Sequence, residues 1–432
     1  MEPVLPTLRP ISTIPRPPVA ATPHRASRLG WLDALRGIAA LVVAFAHSSS
    51  SFQPELQREL MPTFNIGRFG IMVFFLVSGY IIPASLERRG DVRAFWIGRA
   101  FRIYPLCAVA VGAVVVAGLA GLTEIRGGQD NAALAVAHLT LFQELLGTHN
   151  LLLVLWTLSY EMAFYLLVVA LFTVRQHQRS GAVAITLAVL AAVSVAAGVV
   201  LPVSMLSHVV GTGPLVALTS VTMAVAIGCA CSGSSALRVF GGVLGGVLGL
   251  TLVLLNGTVP VWEGLVILAV MFLGTAVHRA ESGRSTWRYA ACAAAVVVVC
   301  AVGSAYLHGD DPHFTRRGWI VAFLLALLTF GVGLASRHRR VPRWLTGLGA
   351  ISYSVYLVHP LLLAVHDGTF GRSRQDNLVL ELAFYAVLLP LCVVTHRFIE
   401  VPCQAWGRKV ALRPPKLLGE VVDIRRGSRS VH

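Results

Sequence analysis

Residues 31–50 read WLDALRGIAALVVAFAHSSS, and this stretch decides what kind of molecule the chain forms. Apart from Asp33, Arg36 and His47, it is apolar or small as far as the serines at its end. A helix of about 20 apolar residues matches the thickness of the hydrocarbon core of a bilayer. A helix also satisfies its backbone hydrogen bonds internally, which lipid requires. The stretch is therefore predicted to be a transmembrane helix.

The rest of this 432-residue chain repeats the pattern. Hydrophobic residues make up 56% of the chain, charged residues make up 13%, and the mean hydropathy is +0.74. Soluble domains carry about 25% charged residues, so a water-soluble globule is excluded. We predict an all-α, polytopic membrane helical bundle of about 10–12 transmembrane helices, with an even number of passes. Twelve passes follow if each apolar block spans, and ten if the short blocks near Val239 and Val261 merge or re-enter. The blocks begin near Trp31, Arg68, Ile103, Leu151, Gly181, Val209, Val239, Val261, Tyr289, Trp319, Trp344 and Asn377.

The formal net charge of +15 indicates membrane topology rather than a nucleic-acid partner. With twelve passes and the N-terminus inside, most of the 35 Lys and Arg residues fall in cytoplasmic segments, as the positive-inside rule expects. Both termini are therefore predicted to be cytoplasmic, in a multi-pass protein of the inner (plasma) membrane whose partners include membrane lipid. Residues 1–30 are predicted to be a disordered Pro/Arg-rich tail, 31–402 the membrane domain and 403–432 a basic cytoplasmic tail.

The seven cysteines give no indication of a metal site. Cys229 and Cys231 are wrongly spaced to share a helix face, and no pair of histidines lies near them in the sequence. No metal is therefore predicted, and the cysteines in apolar blocks are expected to be small core residues. These are Cys107, Cys229, Cys231, Cys292, Cys300 and Cys392.

The first span holds three ionisable residues at helical spacings. Asp33 and Arg36 are three residues apart and can pair on one helix face. Arg36 and His47 are separated by three turns, or about 16 Å along the axis, so they also share a face. A helix-start ion pair and a histidine bonded to a carbonyl would be structural explanations. Ionisable groups inside a membrane are costly, however, and they often mark a functional site.

The second and third spans add small residues and a pair of arginines. Ser78 and Gly79 lie in an otherwise apolar helix, where small residues allow close helix packing. Arg99 and Arg102 come just before the block that begins near Ile103. Two guanidinium groups on one helix face can bind phosphates bidentately, although positive-inside anchoring would also explain them.

The fourth and eleventh spans contain further buried polar groups. Glu161 lies within LLLVLWTLSYEMAFYLL, close to Ser159, and needs an arginine or histidine partner from another helix. Ser352, Tyr356 and His359 form one polar stripe along ISYSVYLVHPLLL. Polar contacts between helices would explain the stripe alone. So many buried polar and titratable groups together indicate a functional interior.

Five segments, in this order, resemble the acyltransferase-3 family of integral-membrane O-acyltransferases: RGIAALVVAFAH, FFLVSGY, RAFRIYP, LWTLSYEMAFYLL and ISYSVYLVHP. The resemblance runs from about Trp31 to Pro402. Its most specific part is the Arg-x10-His spacing of the first span followed by Arg-x-x-Arg before the third. Many members have two acids in the fourth-span motif, whereas here Tyr160 precedes a single Glu161.

The resemblance implies a membrane acyltransferase domain over residues 31–402. It implies that His47 is the catalytic histidine and Arg36 its partner arginine. It also implies that Arg99 and Arg102 serve acyl-CoA binding and that Glu161 is the acidic residue of the fourth span. The expected donor is acyl-CoA, with acetyl-CoA the expected form. The expected acceptor is a hydroxyl of a glycan, a glycolipid or a macrolide-type secondary metabolite.

An alcohol attacks a thioester only when a base removes its proton, and imidazole can serve as that base near neutral pH. We expect His47 to do so, held by a hydrogen bond from a neighbour such as Glu161, in a direct transfer without an acyl-enzyme. Contacts to the oxyanion or the acceptor are expected from four further side chains or an arginine. The four are Ser78, Ser159, Tyr356 and His359.

Two other classes of protein compete with the enzyme as explanations. A proton-coupled transporter or flippase that uses His47 and Glu161 as a proton relay would also explain the buried charges. It would leave Arg99 and Arg102 without a ligand, and the sequence has no paired halves with matching broken helices. A membrane scaffold would leave nearly every buried charge unexplained.

Overall fold

A computed structural model describes residues 24–124, 131–311 and 314–412, with side chains from residue 30 onward. Within these ranges the chain forms helices and connecting turns, with one isolated β-bridge and no β-strand. Three short 3₁₀ turns and a π-helical segment at His396–Glu400 interrupt the series. The α-helices are α1 His24–Phe52, α2 Pro54–Leu60, α3 Ile66–Arg89, α4 Val92–Leu119, α5 Asn131–Thr140, α6 Trp156–Thr173, α7 Ser180–Ala196, α8 Met205–Val210, α9 Thr212–Ala230, α10 Ser235–Leu255, α11 Val261–Glu281, α12 Trp287–His308, α13 Arg316–Ala335, α14 Arg343–Ala350, α15 Ser352–Phe370, α16 Leu378–Thr395 and α17 Val401–Leu412.

The described residues contain eleven helical segments long and apolar enough to cross a membrane. A twelfth span results if α14 and α15, which meet at a 61° bend, are counted as one. The predicted all-α polytopic bundle of 10–12 passes is confirmed, and α10 and α11 do not merge. The side on which the termini lie stays a prediction. Of the two predicted tails, residues 1–23 and 413–432 lie outside the described residues, while α1 begins at His24 and α17 continues to Leu412.

The third span begins earlier than the apolar block near Ile103 suggested. The Asp91 side chain accepts hydrogen bonds from the backbone N–H groups of Arg93 (2.8 Å) and Ala94 (3.1 Å), which caps α4 at Val92. Arg99 and Arg102 therefore lie inside the helix and not at an edge before it. Hydropathy alone placed the boundary too late, because these two guanidinium groups face interior cavities instead of lipid.

Among the described spans α11 is the most buried, since 83% of its apolar stretch lies inside the protein. It packs against α3. The close packing predicted around Gly79 is confirmed, because a Cβ at this position would collide with the carbonyl group of Met271. Gly274 of α11 approaches the backbone of α3 in the same way. These contacts fix the position of α3, which carries Ser78 into the site.

α6, which carries Glu161, is held by a glycine-lined face of α10. A Cβ at Gly246 would lie 2.6 Å from the Ala170 side chain, and one at Gly249 would lie 3.2 Å from the Ala163 carbonyl oxygen. Small residues let the two backbones approach closely, as in other membrane helix pairs. Glu161 is thereby held on a rigid element.

The apolar segment 134–146 is too short to span a bilayer as a helix. It comprises α5 and a 3₁₀ turn at Glu144–Leu146, and Leu145 and Leu146 are fully buried. Of the cysteines expected in the core, Cys107 and Cys392 are buried, but Cys292 is exposed on α12. Within the described ranges, no group of three or more His, Cys, Asp or Glu side chains is arranged so that it could bind a metal ion.

Candidate active site

α1 carries its polar residues on one face, as their spacing predicts. The Arg36 Nη1 atom lies 4.0 Å from Asp33 Oδ1, so the expected i,i+3 pair is present, although loose. The Asp33 side chain is 42% exposed and that of Arg36 is 17% exposed. Asp33 therefore compensates only part of the charge of Arg36, whose guanidinium group can bind other partners. This guanidinium group borders a cavity.

That cavity, which we call the inner cavity, lies between α1, α3, α4, α6 and α15. It brings together five predicted site residues: Arg36, Ser78, Arg102, Glu161 and Tyr356. Its wall combines charged groups with apolar side chains, as expected of a small-molecule site. The other lining residues are Ile71, Phe74, Phe75, Ile103, Thr157, Leu158, Tyr165, Ser352 and Tyr353.

Glu161 faces arginines rather than a histidine. Its Oε1 atom accepts a hydrogen bond of 2.5 Å from the Tyr165 hydroxyl, and its charge interacts with that of Arg36. Arg102 borders the same cavity. The carboxylate therefore offsets part of the positive charge of two guanidinium groups. The expectation that Glu161 holds His47 by a hydrogen bond is wrong, because His47 bonds elsewhere.

A second space, which we call the arginine cavity, lies between α3, α4 and α17. Its described lining includes four arginines, Arg89, Arg99, Arg102 and Arg408, and no acidic residue. Arg102 borders both cavities, so the two adjoin at this side chain. The arrangement is a positively charged space that adjoins a partly apolar one. Such a pair suits an elongated ligand with an anionic end.

Arg99 is held in a fixed orientation within the arginine cavity. Its Nη2 donates to the Ser85 hydroxyl at 3.2 Å. Its guanidinium group also lies over the rings of Phe95 (5.4 Å) and Tyr165 (5.6 Å). A planar group that is stacked and bonded in this way keeps its fork of N–H donors aligned for a phosphate.

His47 and His359 form a direct pair between α1 and α15. His47 Nδ1 lies 2.9 Å from His359 Nε2, and the two rings stack with centroids 5.2 Å apart at 21°. His359 is fully buried, and its Nδ1 lies 2.7 Å from the carbonyl oxygen of Val355. The polar stripe of α15 therefore points into the protein, and it supplies the neighbour of His47.

Tyr356 lies between the inner cavity and the histidine pair. It lines the cavity, and its ring centroid is 6.2 Å from that of His359. Its hydroxyl lies 2.5 Å from the Thr157 hydroxyl and 3.1 Å from the Val154 carbonyl oxygen. A phenol has one proton to donate, and here it already has protein acceptors. Tyr356 is therefore poorly placed to donate to an oxyanion.

The structure separates the two predicted serines. Ser78 lines the inner cavity, whereas Ser159 is fully buried away from it and accepts a 3.4 Å hydrogen bond from the Glu144 N–H. Ser352, known from sequence only as part of the stripe, also lines the cavity, and its hydroxyl has no hydrogen-bond partner in the described structure. Ser78 and Ser352 are thus better placed than Ser159 to contact a ligand.

Sequence reasoning missed two groups of residues near the site. Arg89 and Arg408 line the arginine cavity, but in the sequence they look like ordinary positive-inside anchors. Glu381 is 2% exposed, and its carboxylate accepts hydrogen bonds from Ser48 (2.7 Å), which follows His47 on α1, and from Gln53, which lies between α1 and α2. A carboxylate within the apolar run LVLELAF is the signal that would have identified Glu381.

Comparison with known proteins adds to this geometry. The family model described as Acyltransferase domain matches residues 29–397. The chain is 27% identical over 426 residues to Acyltransferase MdmB of Streptomyces mycarofaciens, a match that covers 94% of this chain and 100% of that protein. It is 32% identical over 111 residues to Exopolysaccharide production protein ExoZ of Rhizobium meliloti (strain 1021), covering 24% and 33% respectively. No solved structure matches the chain.

The family match extends over the helices that build the inner cavity and the histidine pair, and over α3 and α4 of the arginine cavity, and it ends before α17. The match to Acyltransferase MdmB likewise covers that protein from end to end. The membrane-spanning helices, the cavities and these matches lead to one conclusion: the chain is a multi-pass membrane acyltransferase and belongs to the acyltransferase-3 family.

Proposed function

We propose that this acyltransferase moves an acyl group from acyl-CoA, with acetyl-CoA as the donor, to a hydroxyl of a glycan, a glycolipid or a macrolide-type metabolite. The observation that carries the proposal is the pair of adjoining cavities. One is lined by four arginines, and the other is bordered by Tyr356, whose ring lies 6.2 Å from that of His359, the partner of His47. Coenzyme A has the matching shape, because its phosphates are at one end and its thioester is at the end of a long, thin arm.

The arginine cavity suits the phosphates for electrostatic reasons. Guanidinium groups bind phosphate through parallel charge-assisted hydrogen bonds, and Arg99 is already aligned by Ser85 and two aromatic rings. The absence of an acid among the described lining residues leaves these charges available. Arg102, at the junction, would bind the phosphate nearest to the pantetheine arm.

The pantetheine arm then follows the inner cavity towards His47. Arg36 borders this cavity three turns before His47, a rise of about 16 Å. The extended arm is of comparable length, so the thioester would pass Tyr356 and reach the histidine pair. Ser78 and Ser352 are the serine hydroxyls that line this route, and Arg36 and Arg102 border it. A cation or hydroxyl donor that meets the oxyanion would lower the barrier to transfer.

His47 acts as the base in this proposal. It takes the proton of the acceptor hydroxyl as the oxygen attacks the acyl carbon, and the carbon–sulfur bond then breaks. The proton passes from His47 to the departing thiolate, so that ester and free CoA leave a neutral histidine. Glu161 has no part in proton transfer, and its charge offsets those of Arg36 and Arg102.

The acceptor and the membrane belong to the proposal as well. The name of the ExoZ relative refers to exopolysaccharide production, which favours a glycan hydroxyl among the three acceptors. The concentration of Lys and Arg on one side favours insertion in the inner (plasma) membrane with both termini in the cytoplasm, where acyl-CoA is present. Comparing metabolites and glycans of a deletion strain by mass spectrometry would identify the acylated product.

Donor binding can be tested with a double variant, Arg99→Ala/Arg102→Ala, and calorimetry in detergent. Each charge-assisted contact is worth about 1.5–3 kcal/mol, so the affinity for acetyl-CoA should fall at least about tenfold. Acetyl-pantetheine lacks the phosphates, so its affinity should not change. Arg99→Lys/Arg102→Lys keeps the charge needed for topology but not the planar fork, and should recover only part of the loss.

Arg88→Ala is the matched control, since this exposed arginine lies near the end of α3 outside the lining of the arginine cavity. It should bind acetyl-CoA like the unchanged protein. If the double alanine variant binds acetyl-CoA with unchanged affinity, the donor does not occupy the arginine cavity.

A further inference from the structure

We propose that His359 is the positioning residue that makes His47 a base, by fixing which ring nitrogen of His47 carries the proton. This inference rests on the proposed acyl transfer and adds a role that the motif residues of α1 and α4 do not supply. It follows from one short chain of hydrogen bonds: Val355 carbonyl, His359, His47.

The chain of bonds has a fixed end. The carbonyl oxygen of Val355 can only accept, so the proton between it and His359 Nδ1 belongs to the histidine. A carbonyl oxygen has two lone pairs, so this bond is compatible with the α-helical one that Val355 also makes. The backbone of α15 therefore determines that His359 is protonated at Nδ1.

The protonation of His359 then determines that of His47. A neutral imidazole carries one N–H, so His359 Nε2 is an acceptor. His47 Nδ1, 2.9 Å away, must supply the proton. With its own single N–H at Nδ1, His47 presents a lone pair at Nε2. That nitrogen has no hydrogen-bond partner within the described residues, so it is the atom free to take a proton from a hydroxyl.

Burial keeps His359 neutral. Its side chain is fully buried, its ring neighbours are His47 and Tyr356, and no carboxylate within the described ranges lies at hydrogen-bond distance. Burying an imidazolium there without a counter-charge would be costly. If His359 were protonated at both nitrogens, it would donate to His47 Nδ1, and Nε2 of a neutral His47 would carry the hydrogen. The neutral state of His359 is thus a condition for catalysis.

The same principle is visible elsewhere in this chain. His138 of α5 lies 2.8 Å through Nδ1 from the Leu134 carbonyl oxygen, and its Nε2 accepts from the Leu151 N–H at 3.3 Å. A carbonyl and an N–H group leave one neutral tautomer possible, and burial lowers the pKa of His138. In the His359 pair, His47 takes the place of that N–H donor.

Two substitutions at His359 separate positioning from packing. In His359→Asn, the shorter side chain places its amide where the Nδ1 atom lay, so it can still donate to Val355 but cannot reach His47. In His359→Gln, the longer side chain places its amide oxygen near the former position of Nε2, so it can still accept from His47 Nδ1. We expect release of CoA thiol from acetyl-CoA, with water as the acceptor, to fall about 10²-fold in His359→Asn. It should stay within about tenfold of the original rate in His359→Gln.

Nitrogen-15 NMR of the histidine rings gives a readout that packing alone would not change. In the unchanged protein His47 should show a protonated Nδ1 and a bare Nε2, with its signals assigned by their loss in His47→Gln. In His359→Asn the proton should move at least partly to Nε2, and in His359→Gln it should remain at Nδ1.

The proposal is overturned if His47 carries its proton at Nε2 in the unchanged protein, or if the two variants are equally active. The two hypotheses fail in different ways. If the unchanged protein transfers no acyl group, the proposed function fails, while the NMR signals still decide whether His359 fixes the tautomer.

Discussion

Two carboxylate–arginine clusters among the described helices, one at Glu263 and one at Glu161, differ in how completely they are paired. In the first, Glu263 of α11 is 1% exposed, and Arg68 binds its Oε1 at 3.0 Å and its Oε2 at 3.2 Å. Trp319 donates to the same carboxylate at 2.9 Å. Arg68 also stacks over Trp156 at 5.1 Å. Arg68 and Glu263 also border a third cavity, separate from the inner cavity and the arginine cavity. Their charged groups nevertheless bind each other.

The second cluster, Arg36, Arg102 and Glu161, is loosely paired. Arg36 has its nearest carboxylate oxygen 4.0 Å away, and the hydrogen bond of Glu161 goes to Tyr165. The charged groups of this cluster face the inner cavity. A buried charge without a close partner is costly, so it persists where it has another use. The comparison teaches that pairing, more than the presence of buried charge, separates a structural cluster from a functional one.

The largest effect should follow from removing His47, the proposed base, which lies three turns along α1 from Arg36 of the loosely paired cluster. His47→Asn keeps an N–H group near the position of Nδ1 and so can still donate to His359, but it has no basic nitrogen. Acyl transfer should fall about 10²–10⁴-fold, the usual contribution of general-base catalysis, with an unchanged melting temperature in detergent. His47→Ala should lose as much activity and also some stability, because His359 Nε2 loses its donor. Transfer above about a tenth of the original rate in either variant would show that His47 is not the base.

The same substitution in the two clusters should give opposite results. Glu263→Gln removes the charge that compensates Arg68 and should destabilise the fold by about 3 kcal/mol, the lower end for a broken buried pair. Arg68 is 23% exposed and the amide keeps an acceptor, so a larger loss is not expected. Glu161→Gln still accepts from Tyr165, so its stability should change by less than about 1 kcal/mol, while acyl transfer falls.

The melting temperatures of both variants, measured on one preparation with the transfer rate, decide this point. Equal losses of stability would mean that the two clusters are both structural. If Glu263→Gln instead had normal stability and reduced acyl transfer, the functional cluster would be the one that contains Glu263 of α11.

The sequence predicted the helices and the polar positions better than it predicted their partners. Span length and hydropathy are local properties, so the bundle and the shared face of Arg36 and His47 could be derived from residue spacing. The pairing of His47 with His359 joins positions 312 apart. No local pattern determines which of several helices supplies the neighbour, and Glu161 was the wrong choice.

The boundary of α4 shows a second limit of local reasoning. Arginines normally end a hydrophobic span, so sequence alone places Arg99 and Arg102 outside it. Inside the fold they border cavities, where guanidinium groups need not leave the helix to find a polar environment. Whether a polar residue faces lipid or a cavity depends on tertiary packing, and so does the choice between Ser78 and Ser159 as a site residue.

The smallest effect is expected at Asp33, the nearest carboxylate to Arg36. Asp33 is 42% exposed and its oxygen is 4.0 Å from the guanidinium group, a separation at which an exposed pair contributes at most about 1 kcal/mol. Asp33→Asn should therefore shift the melting temperature slightly and leave acyl transfer within about threefold of its original rate. Adding salt should reduce even this difference, because exposed charges are screened. If Arg36 were instead held for the fold by Asp33, the substitution would destabilise the protein as much as Glu263→Gln does, and Arg36 would belong with the structural cluster. A small effect at Asp33 together with a large one at Glu263 would mean that Arg36 is retained for what enters the inner cavity.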